Sequence, residues 1–368
     1  MGHAADVDSD LDDSPLGPGL KAIAKGFQDL FGRDDHRKLE RAPLYDALYD
    51  YFQRQPTERR EGNGMLWRIG DVSVEEPGAF DHADVCLTTG QVFVAHTAQD
   101  CIEHIDGVTV TRIQSIPGCV AGSGVLYAPE PQWMLVAARG AGQLLVLDAT
   151  TGVLQRTVSV GPKPNGLAWD PTRQRALVAD VATQDARCID PARGRTVATA
   201  TLPGRPRWCV YDPARDCYWV NMQAPALVQG LSGSDLTPVA ALPTKISGPH
   251  GLALDPAQDR LFVACDAAQL VVLALASGTV VATTSLAGPP DVVWLNEPRG
   301  LLYVGIGDPG CVQVVDTTSY RVIEEIPTEP GAHTLTFDAV RQRLYVFLPQ
   351  TGHVAVYREA SDAEGSRA

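Results

Sequence analysis

From residue 64 to residue 358 the chain repeats itself about every 42 residues, and this period constrains the fold more than any other feature. KPNGLAWDPTRQRALVAD (163–180) aligns with GPHGLALDPAQDRLFVAC (248–265), PPDVVWLNEPRGLLYVGI (289–306) and GAHTLTFDAVRQRLYVFL (331–348). Each copy reads as a short apolar strand, a turn at Asp-Pro or its equivalent, and a second strand closing on a triplet such as FVA or YVG. Weaker copies begin at 79, 119 and 205 and bring the number to seven. A third strand follows, as in GQLLVLD (142–148), ARCID (186–190) and GCVQVVD (310–316), and then a fourth, as in VLQRTVSVG (153–161), TVATATLPG (196–204) and TVVATTSLAG (279–288). Short β-branched runs punctuated by Gly, Pro and Asp suit four-stranded antiparallel blades. Seven of them predict an all-β, seven-bladed β-propeller over 64–358. The last copy lacks a fourth strand, because HVAVY (353–357) runs out into REASDAEGSRA. MLWRIGDVSV (65–74) is predicted to supply it, closing the ring and hiding its edges.

Residues outside the repeat have a different character. LKAIAKGFQDLFG (20–32) and HRKLERAPLYDALYDYFQRQ (36–55) carry apolar residues at helical spacing, among them Leu39, Leu44, Leu48 and Phe52. We expect an acidic, partly helical extension over 1–63 that packs on the ring, lids the channel or pairs two copies into a homodimer. Residues 359–368 are expected to be a disordered tail. The first residues, MGHAADVDSDLDDSPLGPG, have neither the basic start nor the apolar core of a secretory leader, so a cytoplasmic protein is expected. No apolar run is long enough to span a bilayer. A net charge of −14 argues against nucleic acid and anionic membranes as partners. The eight cysteines show no CxxC pair or zinc-finger spacing, and read as packed thiols.

The repeat register turns sequence spacing into spatial neighbourhood. First strands of a propeller line its channel, so equivalent positions form a ring around the channel mouth. Counting four residues back from the aromatic or Leu of the WD/LD/YD turn gives His82, Ser123, Asn165, Arg207, His250, Asp291 and His333, spaced by 41, 42, 42, 43, 41 and 42. Three of the six repeat-region histidines fall on these seven positions. His250, Asp291, His333 and His82 belong to consecutive blades and form one polar arc, with Ser123, Asn165 and Arg207 opposite. His96 ends the second strand of blade one and is a candidate fourth imidazole. Imidazoles converging near a carboxylate suit zinc, copper, iron, nickel or manganese, with His82, His250, His333 and His96 as candidate ligands. Asp291 and His96 are the candidate proton-transfer groups, and Arg207, Asn165 and Ser123 the candidate substrate contacts. Cys265 and Asp266 end the second strand of blade five near His250. Polar channel lining around water would produce the same residue types without chemistry. No nucleotide loop, Ser-centred elbow or HExxH helix is present.

The FVA, LVA, YVG and YVF triplets, the Asp-Pro turns and the VVD-type third strands resemble the YVTN-repeat propellers, relatives of the surface-layer and lactonase-like propellers, over about 64–358. The resemblance implies the fold and leaves the function open, because this superfold hosts lyases, hydrolases, oxidoreductases and binding proteins. Among similar propellers, streptogramin B lyase uses His and Glu near a divalent ion, carotenoid cleavage oxygenases hold iron with four His, and nitrous-oxide reductase carries a copper cluster. The chain matches none of their full motifs. The resulting expectation is a metal-dependent lyase or hydrolase acting on a small anionic substrate at the mouth. The alternatives are a noncatalytic module for a protein or peptide partner, and a copper- or iron-dependent oxidative enzyme using the same histidines.

Overall fold

In the structure, a computed structural model, residues 64–359 are described, apart from residue 75. The predicted helices and most of the predicted tail lie outside these residues. Seven four-stranded antiparallel sheets follow one another, and six are built from consecutive strands. Blade one runs from Ala83–Cys86 to Thr111–Pro117, and blade six from Pro290–Asn296 to Arg321–Pro327. The seventh combines Leu335–Asp338, Arg343–Leu348 and His353–Glu359 with Leu66–Ser73 from the start of the repeat region. That last pairing is antiparallel, from Leu66 opposite Glu359 to Ser73 opposite His353, with a bulge between Arg68 and Gly70. The ring therefore closes by exchange of its ends, as the truncated last copy predicts.

Burial explains the strand roles. Second strands are almost wholly buried, as in Arg260–Cys265, whereas fourth strands such as Thr279–Ser285 alternate between exposed and half-buried. The core lies between neighbouring blades: Val72, Phe347 and Val354 of blade seven pack with Val85, Val92 and Ile105 of blade one. The turn after the first strand is held by its Asp. The Asp170 Oδ1 accepts the Thr172 and Arg173 N–H groups at 2.9 and 3.0 Å, while Arg173 Nη1 reaches Oδ2 at 2.8 Å. Asp212 with Arg215 and Asp338 with Arg341 repeat the device. Asp thus caps the turn backbone while the Arg three residues on neutralises it.

Glycine sets the spacing of the first strands. A Cβ on Gly124, Gly166 or Gly251 would lie 2.1–2.2 Å from the carbonyl oxygen of Asn165, Arg207 or Asp291 in the following blade. Only hydrogen leaves room for that approach. Blade four carries Trp208 at this repeat position, and its indole occupies the channel instead.

Candidate functional site

The seven ring residues stand at or just before the start of their first strands, so they share one end of the channel. His250 is held most firmly. Its Nδ1 lies 2.8 Å from Asp266 Oδ1 and its Nε2 lies 3.1 Å from Asp291 Oδ1. Asp266 also accepts Gln223 Nε2 at 2.7 Å. Burial works against ionisation of Asp266, but His250, Gln223 and Arg207 together hold its carboxyl below the usual range. The second contact of His250 is of another kind: Asp291 Oδ1 is buried and accepts no hydrogen bond from the described residues, so the 3.1 Å approach is a close contact without a directed donor. Asp291 Oδ2 lies 3.7 Å from His333 Nε2, and the His333 side chain is about a third exposed (31%).

Arg207 faces this group from the opposite arc. Its half-buried guanidinium makes no hydrogen bond or ion pair to the described residues, and Nε is sealed without a partner. Burial, with Arg205 nearby, lowers its pKa from the ordinary value, and the attraction of Asp266 and Asp291 offsets this only in part. Arg207 thus shares the mouth with Asp266 and Asp291 without bonding to either.

On the remaining side, Arg139 Nη2 bonds Asp81 Oδ2 at 2.8 Å and also reaches Asn165 Oδ1, which occupies the Asn165 carbonyl. Asp81 also pairs with His82 Nδ1. Burial opposes its charge, yet His82, Arg139 and His333 hold its carboxyl far below the usual range. The His82 ring stacks on Trp208, with centroids 4.0 Å apart and planes 9° apart. Blades one and four face each other across the ring, so this pair bridges the channel.

Two predicted residues have side chains engaged away from the mouth. Ser123 is fully buried, and its hydroxyl donates to the Pro164 and Ala137 carbonyls at 3.0 and 3.3 Å, which ties blade two to blade three. His96 is also fully buried. It stacks on Phe80 at 4.4 Å, and its Nδ1 lies 3.1 Å from Glu103 Oε1 inside blade one. It does not join the ring histidines. Instead His96, Cys101 and Glu103 form the one group among the described residues whose ligand atoms lie within 4.8 Å of one another and that could hold a metal ion. Glu103 is already engaged: Arg112 Nε lies at 3.0 Å and Ser115 Oγ at 2.6 Å from Oε2. Burial opposes its charge, but bonds from His96, Ser115 and Arg112 pull it down to about 2. Burial and the Glu103 carboxylate push the Cys101 thiol up to about 12. His96 Nε2 is buried without a partner among the described residues, but Arg112 already supplies the positive charge that an ion would bring, which favours a structural role.

Beyond the His82–Trp208 bridge, a cavity of about 480 Å³ runs along the first strands to Pro213, Pro256 and Glu297 in the turns at their other end. Trp169, Trp294, Tyr211 and Leu252 line it, together with Asp84. Asp84 is buried. Its Oδ1 accepts the Val85 N–H and its Oδ2 the Tyr127 N–H, both at 2.7 Å. Burial raises its pKa to about 7 despite these donors.

Sequence reasoning missed Arg139 and Asp84. Arg139, Gln223 and Asp266 each stand one residue past the end of a second strand, a further set of equivalent positions at the same mouth. Asp84 breaks the repeat, since the matching positions in the other blades are Val125, Leu167, Cys209, Leu252, Val293 and Leu335.

No family model matches the chain. It is similar to the uncharacterized protein YncE of Salmonella typhi and of Salmonella typhimurium, 22% identical over 360 residues that cover 90% of this chain and 90% of each relative. Among solved structures it is similar to Kuenenia stuttgartiensis hydrazine synthase, with a TM-score of 0.69 and 16% identity over 79% of this chain and 98% of that one. At these identities the likeness supports the propeller fold.

Proposed function

We propose that this propeller is a small-molecule enzyme whose channel mouth takes an anionic substrate and carries out acid–base chemistry of the lyase or hydrolase type. The observation that carries the reading is the pair of unsatisfied groups: the half-buried Arg207 guanidinium, without a partner among the described residues, and the donorless Asp291 Oδ1 in the same mouth. A substrate carboxylate or phosphate would supply the acceptors Arg207 lacks, as a charge-assisted pair. The donorless oxygen also favours a divalent metal ion. With Nδ1–H donating to Asp266, the His250 Nε2 lone pair would face the Asp291 carboxylate, an arrangement a cation relieves. Ligands about 2.1 Å from one ion stand roughly 3.0–3.4 Å apart, close to the 3.1 Å between His250 Nε2 and Asp291 Oδ1. His333, whose Nε2 lies 3.7 Å from Asp291 Oδ2, is the nearest candidate for a third ligand. In the reaction, Arg207 orients the anion, and His250, aligned by Asp266, accepts or returns the proton at Nε2; were an ion bound, His250 and Asp291 would hold it and it would supply Lewis-acid activation.

Calorimetric titration with inorganic phosphate and with malonate tests the anion site, and metal analysis of untagged protein tests the ion. Wild-type protein should bind at least one of the two anions, and Arg207→Ala should lose about tenfold or more in affinity. His250→Ala should lose the metal. Equal anion binding by wild type and Arg207→Ala would overturn the proposal. Metal-free protein that still binds the anion through Arg207 would remove the ion and keep the His250 acid–base reading.

A further inference from the structure

We infer that the cavity beyond the His82–Trp208 bridge is a second binding site, for a small hydrophobic cation such as an arylalkylamine. It shares the His82–Trp208 bridge with the mouth but does not depend on Arg207, Asp266 or Asp291. Three features point to it.

The first is the carboxylate out of register. Six blades put Val, Leu or Cys where blade one puts Asp84, so the scaffold does not need a charge at this position. The second is the lack of a counter-charge. Asp84 is buried, and among the described residues its oxygens receive only two backbone N–H donors, while the cavity lining contains Asp84 and Glu297 but no Lys or Arg, and its one imidazole, His82, is already paired with Asp81. A buried carboxylate without a cation is costly, and a cationic ligand would remove that cost. The third is the aromatic wall. Trp169, Trp208, Trp294 and Tyr211 line the space, and aromatic faces attract a desolvated ammonium. Trp169 Nε1 is in addition a buried donor with no partner, available to a polar atom on the ligand. The volume of about 480 Å³ falls within the ordinary range for small-molecule sites.

The site predicts discrimination between isosteres. 2-Phenylethylamine, a cation at neutral pH, and the neutral 2-phenylethanol would be titrated into the full chain by calorimetry and by quenching of tryptophan fluorescence. The amine should bind about tenfold or more tightly than the alcohol. Asp84→Asn should bring the two within about twofold, and Trp294→Leu should weaken both. Arg207→Ala should leave both unchanged, which separates this site from the mouth. Equal binding of amine and alcohol by wild-type protein, or binding of neither, overturns the inference without recourse to a variant. So does an amine preference that survives Asp84→Asn in a protein shown by circular dichroism to be folded.

Discussion

Asp84, buried, and Arg207, half-buried, are each held against an electrostatic cost, and for Asp84 the cost is measurable. The folded-state pKa of Asp84 is raised to about 7, above its unfolded value of about 4, so folded protein holds a proton there that unfolded protein releases. Its contribution to stability is therefore most favourable at low pH, shrinks as pH rises from about 4 to about 7, and levels off above. The melting temperature of Asp84→Asn relative to wild type should rise between pH 5 and pH 8, and a flat difference would contradict the account. Glu103 has the opposite sign: its carboxyl is held at about 2, so its network stabilises fully above the usual carboxylate range and loses that effect as pH falls toward about 2. Glu103→Ala should cost roughly 3–5 kcal/mol in denaturant unfolding, because Arg112 and His96 would be left facing an empty space. These residues also mark where sequence reading stops. Equivalent repeat positions share a height on the channel, which is why His250, Asp291, His333 and Arg207 were legible as mouth residues. Height does not specify the face: successive side chains of a strand point to opposite sides, and His96, at the right height, points into blade one. Asp84 was legible only as a departure from the apolar repeat.

At the level of the element, the blade-to-blade contact through glycine makes a sharp prediction. Alanine at Gly124, Gly166 or Gly251 would force apart the first strands of neighbouring blades, since the closest clash of the new Cβ, at 2.1–2.2 Å, is with a backbone carbonyl oxygen. Each substitution should cost roughly 2–4 kcal/mol in chemical denaturation, and a loss below about 0.5 kcal/mol would show that the first strands can slide. The Asp-Pro turns were readable because Asp, Pro and the following Arg all serve one turn backbone. The loops after the second strands were less readable, because Arg139, Val181, Gln223 and Asp266 share a position without sharing a residue type. Their roles depend on which ring residue each one faces.

For the whole ring, closure is the property that most depends on a distant piece of sequence. Leu66–Ser73 covers the strand His353–Glu359 and adds Leu66, Trp67 and Val72 to the buried surface. A chain beginning at residue 76 should leave that edge unpaired and self-associate, seen by light scattering on a sizing column. A monomer with the wild-type melting temperature would contradict the closure. The repeat made the ring and its closure legible; the chemistry of the channel needed the side chains in place, because charge pairing across blades has no period. The central claim is that the mouth holds an anion at Arg207. Its most direct measurement is anomalous diffraction from crystals soaked in bromide. The account predicts a bromide peak about 3.5 Å from the Arg207 guanidinium, absent in Arg207→Ala. Bromide elsewhere on the protein, with none at the mouth, would contradict it.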